Sequence, residues 1–371
     1  MDLDFSFDEL NQKLMDLFYQ SKTSFLIGAG CSKCAGLPLM DELTTIITEE
    51  ITKEDNEISL LYNDILNQYS NNINIEDILS ELQDIYAILE RQYNKGIKNP
   101  KYTLNDIQYV KATVEKTILN IKTIIKKKIG GNIPTLSYHR SFCDYIHKKM
   151  LAGREKTKDS IDYFILNYDN LFEDSLALEN INFTDGFVGG STAWWDPNLY
   201  NNFSPVNVYK LHGSIDWYRG LNSLPIRLRN TLSTKEIADN KEVLIYPSTK
   251  KYVESQKNPY QIMINKFRAS LVENENHVLF TIGYGFNDNH INSELENGLL
   301  NSTGSLSTVI LLGSETLPEV INDWITNERI SKQILAITKK EIYIDGQNVY
   351  KGSKELEYYL FEKIIEILKR N

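Results

Sequence analysis

Apolar residues follow two periods along this chain, and the alternation between them predicts its elements. Ser24 to Ile27, Tyr163 to Leu166 and Val206 to Leu211 are short continuous apolar runs that read as buried parallel strands, each ending in a polar or glycine-bearing turn. Asp8 to Tyr19 places Leu10, Leu14, Leu17 and Phe18 on one helical face. A helix is predicted from about Leu39 to Thr52, then two long ones over Ile75 to Tyr93 and Leu104 to Ile129, separated by a loop at Asn94 to Pro100. No strand signal returns until about Asp162. A βαβ crossover needs only a dozen or so residues, so residues 54–134 read as a helical insertion whose apolar faces must be buried.

After Gly130-Gly131 a helix from about Thr135 to Met150 leads into the second strand, and another helix opens near Asn170. Asp185 to Pro205, with Gly189-Gly190, Trp194-Trp195 and Pro197, reads as irregular. Further strands are expected at Val243 to Tyr246, Val278 to Gly283, Thr308 to Gly313 and Glu341 to Ile344. Helices are expected at Tyr252 to Glu273, Asp288 to Leu300 and Lys354 to Lys369. This order predicts an α/β fold, a Rossmann-like doubly wound parallel sheet. Residues 1–330 read as one domain and 331–371 as an α/β tail.

Composition narrows the functional classes. The chain has 371 residues, 42% hydrophobic and 24% charged, with a formal net charge of −10. An acidic surface does not hold nucleic acid by a general field, and the runs Lys126-Lys127-Lys128 and Lys148-Lys149 read as solvated helix faces. The N-terminus has no apolar signal region, no stretch approaches a membrane span, and three cysteines give no disulfide framework. A cytoplasmic protein is expected.

Ligands of an open α/β sheet sit at the carboxyl ends of its strands. Three segments should therefore converge there: Gly28-Ala29-Gly30-Cys31-Ser32, Asn167-Tyr168-Asp169 and Leu211-His212-Gly213. Gly28, Gly30 and Gly36 lack strict dinucleotide spacing, but glycines and a helix N-terminus suit a pyrophosphate; a tight turn without ligand is the alternative. Asp169 or Asn170 as a helix cap, or an Asx-turn, explains one polar residue after the strand better than two. His212 is a structural strand-end histidine or a catalytic one, and Gly213 would leave a face of its ring open. Cys31 and Cys34 lack the second pair that structural zinc needs. His139 and His147 lie about 12 Å apart along one helix face, too far to share an ion.

Together these motifs resemble the sirtuins. Gly28 to Pro38 resembles their NAD-binding loop, Asn167-Tyr168-Asp169 their Asn-x-Asp element, Leu211-His212-Gly213 their histidine motif, and Thr281 to Asp288 their later ribose-contacting loop. Asn167 to Glu173 and Leu211 to Trp217 are more closely similar to the SIR2-like proteins of bacterial antiphage defence. Deacetylating sirtuins carry a zinc ribbon with two cysteine pairs, and no cysteine follows His212 here. Leu39-Met40-Asp41 stands where their loop continues Asp-Phe-Arg.

The resemblance implies an NAD hydrolase with NAD as substrate and no metal. Asn167 would position ribose or water, Asp169 would hydrogen-bond ribose or carboxamide, and His212 would act as general base. Backbone N–H groups of Gly28, Ala29, Gly30 and Cys31 would hold pyrophosphate, with Ser32, Gly283 and Tyr284 also at the cofactor. The competing readings are a silent NAD or ADP-ribose sensor, an assembly subunit, and a protein deacylase or ADP-ribosyltransferase. The roughly 60 residues after Gly313 are short for a sensor domain. Regulation is therefore expected from outside the chain; the resemblance implies a HerA-type ATPase partner, and a homo-oligomer is expected.

Overall fold

A computed structural model describes residues 6–20, 22–53, 56–69, 73–131, 133–150, 160–220, 224–229, 243–245, 259–272 and 276–369. The main sheet is built on β1 (Lys22–Ile27), whose neighbours are β4 (Ile161–Ile165) and, on the other side, β11 (His277–Ile282). Beyond β4 lies β7 (Val206–Lys210); beyond β11 lie β12 (Leu306–Leu311) and β13 (Ile334–Ile337). These six strands run parallel. The chain steps from β1 to β4 to β7, then returns to β11 and steps the other way. That is the doubly wound order the alternation predicts, and its switch point lies between β1 and β11. Two antiparallel strands, β14 (Glu341–Ile344) and β15 (Gln347–Lys351), extend the β13 edge.

Strand β1 is covered on both faces, which is why it reads as a continuous apolar run. Phe25 and Ile27 enter one core with α1 (Phe7–Phe18), α6 (Ser137–Asp144) and the final helix Phe361–Lys369; Phe18 stacks on Phe280 with centroids 3.9 Å apart. Leu26 enters the opposite core, with the helices Tyr260–Val272, Asn289–Asn301 and Glu319–Thr326. A third core binds α2 (Met40–Ile51), α3 (Glu57–Gln68), α4 (Ile75–Asn94) and α5 (Lys111–Ile129) to one another, and it also takes in Tyr168, Leu171 and Ile215.

Several elements differ from expectation, each for a local reason. The helix expected from Leu104 begins only at Lys111, because Lys101–Leu104 (β2) and Ile107–Val110 (β3) form a hairpin. Its two turn residues, Asn105 and Asp106, both have positive φ (47° and 63°), the demand of the commonest hairpin turn. Leu104, Ile107 and Val110 mimic helical spacing. Within the stretch read as irregular, β5 (Phe187–Gly189) pairs with β6 (Thr192–Trp195), burying Trp195 and exposing Trp194. Strand β8 (Gly213–Arg219) follows β7 after two residues, joining β6, β9 (Pro225–Leu228) and β10 (Val243–Ile245) in a second, antiparallel sheet. The helix expected from Lys354 starts at Phe361, after a turn of 3₁₀ helix at Glu357–Tyr359. Residues 246, 252–258 and 273 of the expected Val243 and Tyr252 elements lie outside the described residues.

Buried ionisable groups give the fold a pH signature. Burial lowers His139 to about 4, His147 to about 3 and His277, beside Lys22, to about 4. The unfolded chain binds protons at these imidazoles below about pH 6.5 and the native one does not, so stability falls as pH drops through that window. Glu173 has the opposite sign. Burial raises it to about 7 despite Lys210 beside it, so between about pH 4.5 and 7 the native state holds the extra proton. Of these four groups, three histidines oppose one carboxyl, so together they lower stability as pH falls from 7 to 5. Urea unfolding at the two pH values measures this, and Glu173→Gln, which removes the offset, should make the fall steeper. A fall that Glu173→Gln leaves unchanged would show that the buried carboxyl does not titrate as assigned.

Candidate functional site

Three β-ladders carry the glycine loop, the Asn-Tyr-Asp turn and the histidine to one level. In register Ile27 lies beside Ile165 and Ile282, and Ile165 beside Lys210. The ladders continue one step further, with Leu166 N–H donating to Ile27, Leu211 N–H to Ile165 and Gly28 N–H to Ile282, all at 2.9 Å. Asn167 and His212 are thus the first residues past adjacent strand ends.

Glycines let the β1 and β11 loops touch through their backbones. A Cβ on Gly28 would stand 2.4 Å from the Gly283 oxygen, one on Gly30 2.7 Å from Gly283 Cα, and one on Gly283 2.4 Å from Cys31 N. Gly283 also has φ +68°. This contact uses up donors expected to face pyrophosphate. Gly28 N–H goes to Ile282, Gly30 N–H to Gly283 at 2.9 Å, and Cys31 N–H to Gly28 at 3.1 Å. Ala29, half-buried, begins the 3₁₀ helix Ala29–Ala35.

Ser32 ties the polar residues together. Its hydroxyl donates to Asp169 Oδ2 at 2.7 Å and accepts from Asn167 Nδ2 at 2.8 Å; Asn167 Nδ2 also donates to the Gly28 carbonyl at 3.0 Å. Both Nδ2 protons of Asn167 are committed, which fixes the amide and leaves Oδ1 to accept from a ligand. Asp169 has both oxygens engaged within the protein: one holds Ser32, and the other accepts from Leu171 N–H at 3.1 Å, which is the Asx-turn alternative, while the helix's N-cap residue Asn170 makes no side-chain cap bond. Cys31 is fully buried, its Sγ 3.2 Å from the Ile282 carbonyl and its thiol pushed well up by burial. Burial also pushes Cys34 up, to about 12, so neither offers a thiolate near neutral pH.

His212 ends the outermost of these strands, yet its Nε2 lies 3.1 Å from Asp288 Oδ2, a residue of the loop beyond β11. Two strands intervene, so the pair spans roughly 14 Å of sheet at ~4.8 Å per strand. Gly213 has φ +88°, and it is this turn into β8 that requires glycine. Tyr284 does not offer its hydroxyl outward: the oxygen sits 2.7 Å from Asn292 Oδ1 and 3.1 Å from the Asp288 carbonyl. Phe286 is held at φ +59° between Tyr284 and Trp324, a strained backbone worth about 1–3 kcal/mol that packing maintains.

Sequence reasoning missed the supports beneath these loops. Lys210, 1% exposed, donates its ammonium to the Asp169 carbonyl and lies 3.5 Å from Glu173. Ser214 donates to Asp216 at 2.6 Å, Asn170 donates to Asp216 at 3.1 Å, and Arg229 pairs with Asp216 at 3.0 Å. From α4, Glu76 accepts the Tyr168 hydroxyl at 2.5 Å. A lysine within an apolar strand run was the one visible signal. Asp288 was hidden by its other role, capping the Asn289–Asn301 helix. Among the described residues no group of three or more His, Cys, Asp or Glu side chains could hold a metal, and no helix is long and apolar enough to cross a membrane.

Residues 163–331 match the family model described as SIR2-like domain, a span holding Asn167, His212, Gly283 and Asp288. No curated protein matches the chain. Among solved structures, a Sir2 homolog–NAD complex aligns over 97% of this chain and 94% of that one, at 10% identity and a TM-score of 0.44. A Sir2 homologue mutant–ADP-ribose complex aligns over 97% and 96%, at 10% identity and a TM-score of 0.43. Alignments this loose assign no residues, and the site rests on its own geometry.

The glycine contact is directly testable. Gly283→Ala should destabilise the protein by at least about 2 kcal/mol in urea unfolding. Gly285→Ala, whose added Cβ meets only Asn287 Nδ2 at 3.6 Å, should stay near wild type. Equal stability of the two variants would mean that the loops do not touch.

Proposed function

We propose that this chain is an NAD glycohydrolase, cleaving the nicotinamide–ribose bond to give ADP-ribose and nicotinamide. The observation that carries the reading is the placement of Asn167, with its amide fixed and Oδ1 left to accept, and His212 at the ends of the adjacent strands β4 and β7, with His212 reaching Asp288 of the loop beyond β11. The SIR2-like match across both residues supports it.

The chemistry asks little of an acid. Nicotinamide in NAD is already a cationic leaving group, and the barrier lies in an oxocarbenium-like ribosyl transition state. Asn167 Oδ1 accepts a hydrogen bond from the attacking water or a ribose hydroxyl. His212 takes the proton released as water adds. Pyrophosphate is held at the start of the 3₁₀ helix, with Ala29 N–H as the donor not spent on the glycine contact. Asp169 and Ser32 act by fixing Asn167; Gly28, Gly30, Cys31 and Gly283 act by shaping the loop, and Tyr284 by holding the loop before Asp288.

Residues 1–330 serve as the NAD-binding domain, interrupted by the helical insertion at 54–134, and 331–371 extends the same sheet through β13, β14 and β15 and packs its last helix on the core. The resemblance to defence proteins alone carries the setting: NAD depletion in antiphage defence in the cytoplasm, by a homo-oligomer with a HerA-type ATPase partner. A pull-down with an adjacent-encoded ATPase tests the last of these, and the absence of a stable complex removes it.

Incubating purified protein with NAD, with and without that partner, should yield ADP-ribose and nicotinamide by chromatography. His212→Ala or Asn167→Ala should each lower turnover by roughly 10²–10⁴-fold. Intact NAD under every condition, despite measured binding, would make the protein a sensor instead.

A further inference from the structure

Asp288 does two jobs with two oxygens. Its Oδ1 accepts from His290 N–H at 3.0 Å and Ile291 N–H at 3.4 Å, capping the Asn289–Asn301 helix. Its Oδ2 lies 3.1 Å from His212 Nε2, with both side chains nearly sealed from solvent. Capping does not demand a charge, since asparagine, serine and aspartate cap about equally well. Nor does it demand the loop built around this residue. Phe286 at φ +59°, the Phe286 carbonyl held by Asn292 Nδ2 at 2.8 Å, and Tyr284 OH against the Asp288 carbonyl together fix where the carboxylate stands.

We infer that Asp288 is the positioning residue for His212, its carboxylate orienting the imidazole and stabilising the imidazolium that forms when His212 accepts a proton. This rests on the reading of His212 as the base of an NAD-cleaving site. The proton moves from water to the imidazole, and Asp288 stays ionised throughout, as the acid of a Ser-His-Asp triad does. In so dry a place, a single negative charge beside the ring acts far more strongly than it would in water. Among the described residues, ionisable side chains on the elements packed here include Asp169, Glu173 and Lys210 at the β4 and β7 ends, Asp216 in β8, Tyr284, Tyr260, and Glu76 of α4 with Tyr168.

Asp288→Asn separates the two jobs, because asparagine keeps the cap and the volume while losing the charge. Its kcat should fall roughly 10²–10⁴-fold with KM for NAD and Tm near wild type, and the acid limb of kcat/KM should move to lower pH. Added to His212→Ala, the same substitution should cost nothing further. Asp288→Ala should lower Tm as well, through the lost cap. Wild-type turnover by Asp288→Asn would overturn the inference and leave Asp288 a helix cap only. If the wild-type protein cleaves no NAD, the proposed function fails, but the pair is still read by NMR: His212 imidazole resonances should titrate at lower pH in Asp288→Asn. An unchanged titration would overturn the pairing itself.

Discussion

The site depends on two backbones approaching closer than any side chain allows. Where β1 and β11 end, Gly28 and Gly30 lie directly against Gly283. That contact fixes the two halves of the doubly wound sheet at the level where a ligand of such a fold sits. It also explains why the loop lacks dinucleotide spacing: its glycines serve the approach of protein to protein before that of protein to phosphate. The N–H groups spent on it are the cost of a rigid floor, and Ser32, four residues past Gly28, is thereby placed under Asn167 and Asp169.

A second constraint lies below that floor. The turns after β4 and β7 are polar yet buried, so every donor and acceptor in them needs a partner. Lys210 answers the Asp169 carbonyl and Glu173, while Ser214, Asn170 and Arg229 gather on Asp216. Two segments 40 residues apart are cross-linked by these bonds. A buried ion pair is weak evidence of stability, but removing one partner leaves an uncompensated charge. The polar letters of Asn167 to Glu173 and Leu211 to Trp217 thus have a physical reason within the protein: they cross-link the two turns that carry Asn167 and His212.

Much of this was legible in the sequence, and the rest was obscured by identifiable physics. The parallel strands announced themselves because both faces are buried, and the first three motifs follow β1, β4 and β7 in sheet order while the fourth returns to β11 on the other side of β1. Strand β8 was missed because it begins two residues after β7 ends, with no turn signal beyond Gly213. The hairpin before α5 was read as helix because Leu104, Ile107 and Val110 happen to share helical spacing. Of the site residues, Asn167, Asp169 and His212 stood out as polar residues after apolar runs. Asp288 did not, since an aspartate opening a helix is fully explained by capping. Which oxygen of a carboxylate faces a histidine from across two strands is a tertiary fact, without a period to betray it.

The helical insertion belongs to the same argument. Its core is continuous with Tyr168 and Leu171 from one loop and Ile215 from the other, all buried. Glu76, in the first turn of α4, holds the hydroxyl of Tyr168, the residue between Asn167 and Asp169. Insertion and sheet therefore share their packing at the turns that carry Asn167 and His212. To shift α4 is to expose Tyr168 and strip its phenol of a charged acceptor, at a cost set by a buried, unsatisfied hydroxyl. The turn that holds Asn167 is thus tied to the insertion through Tyr168, the residue next to it.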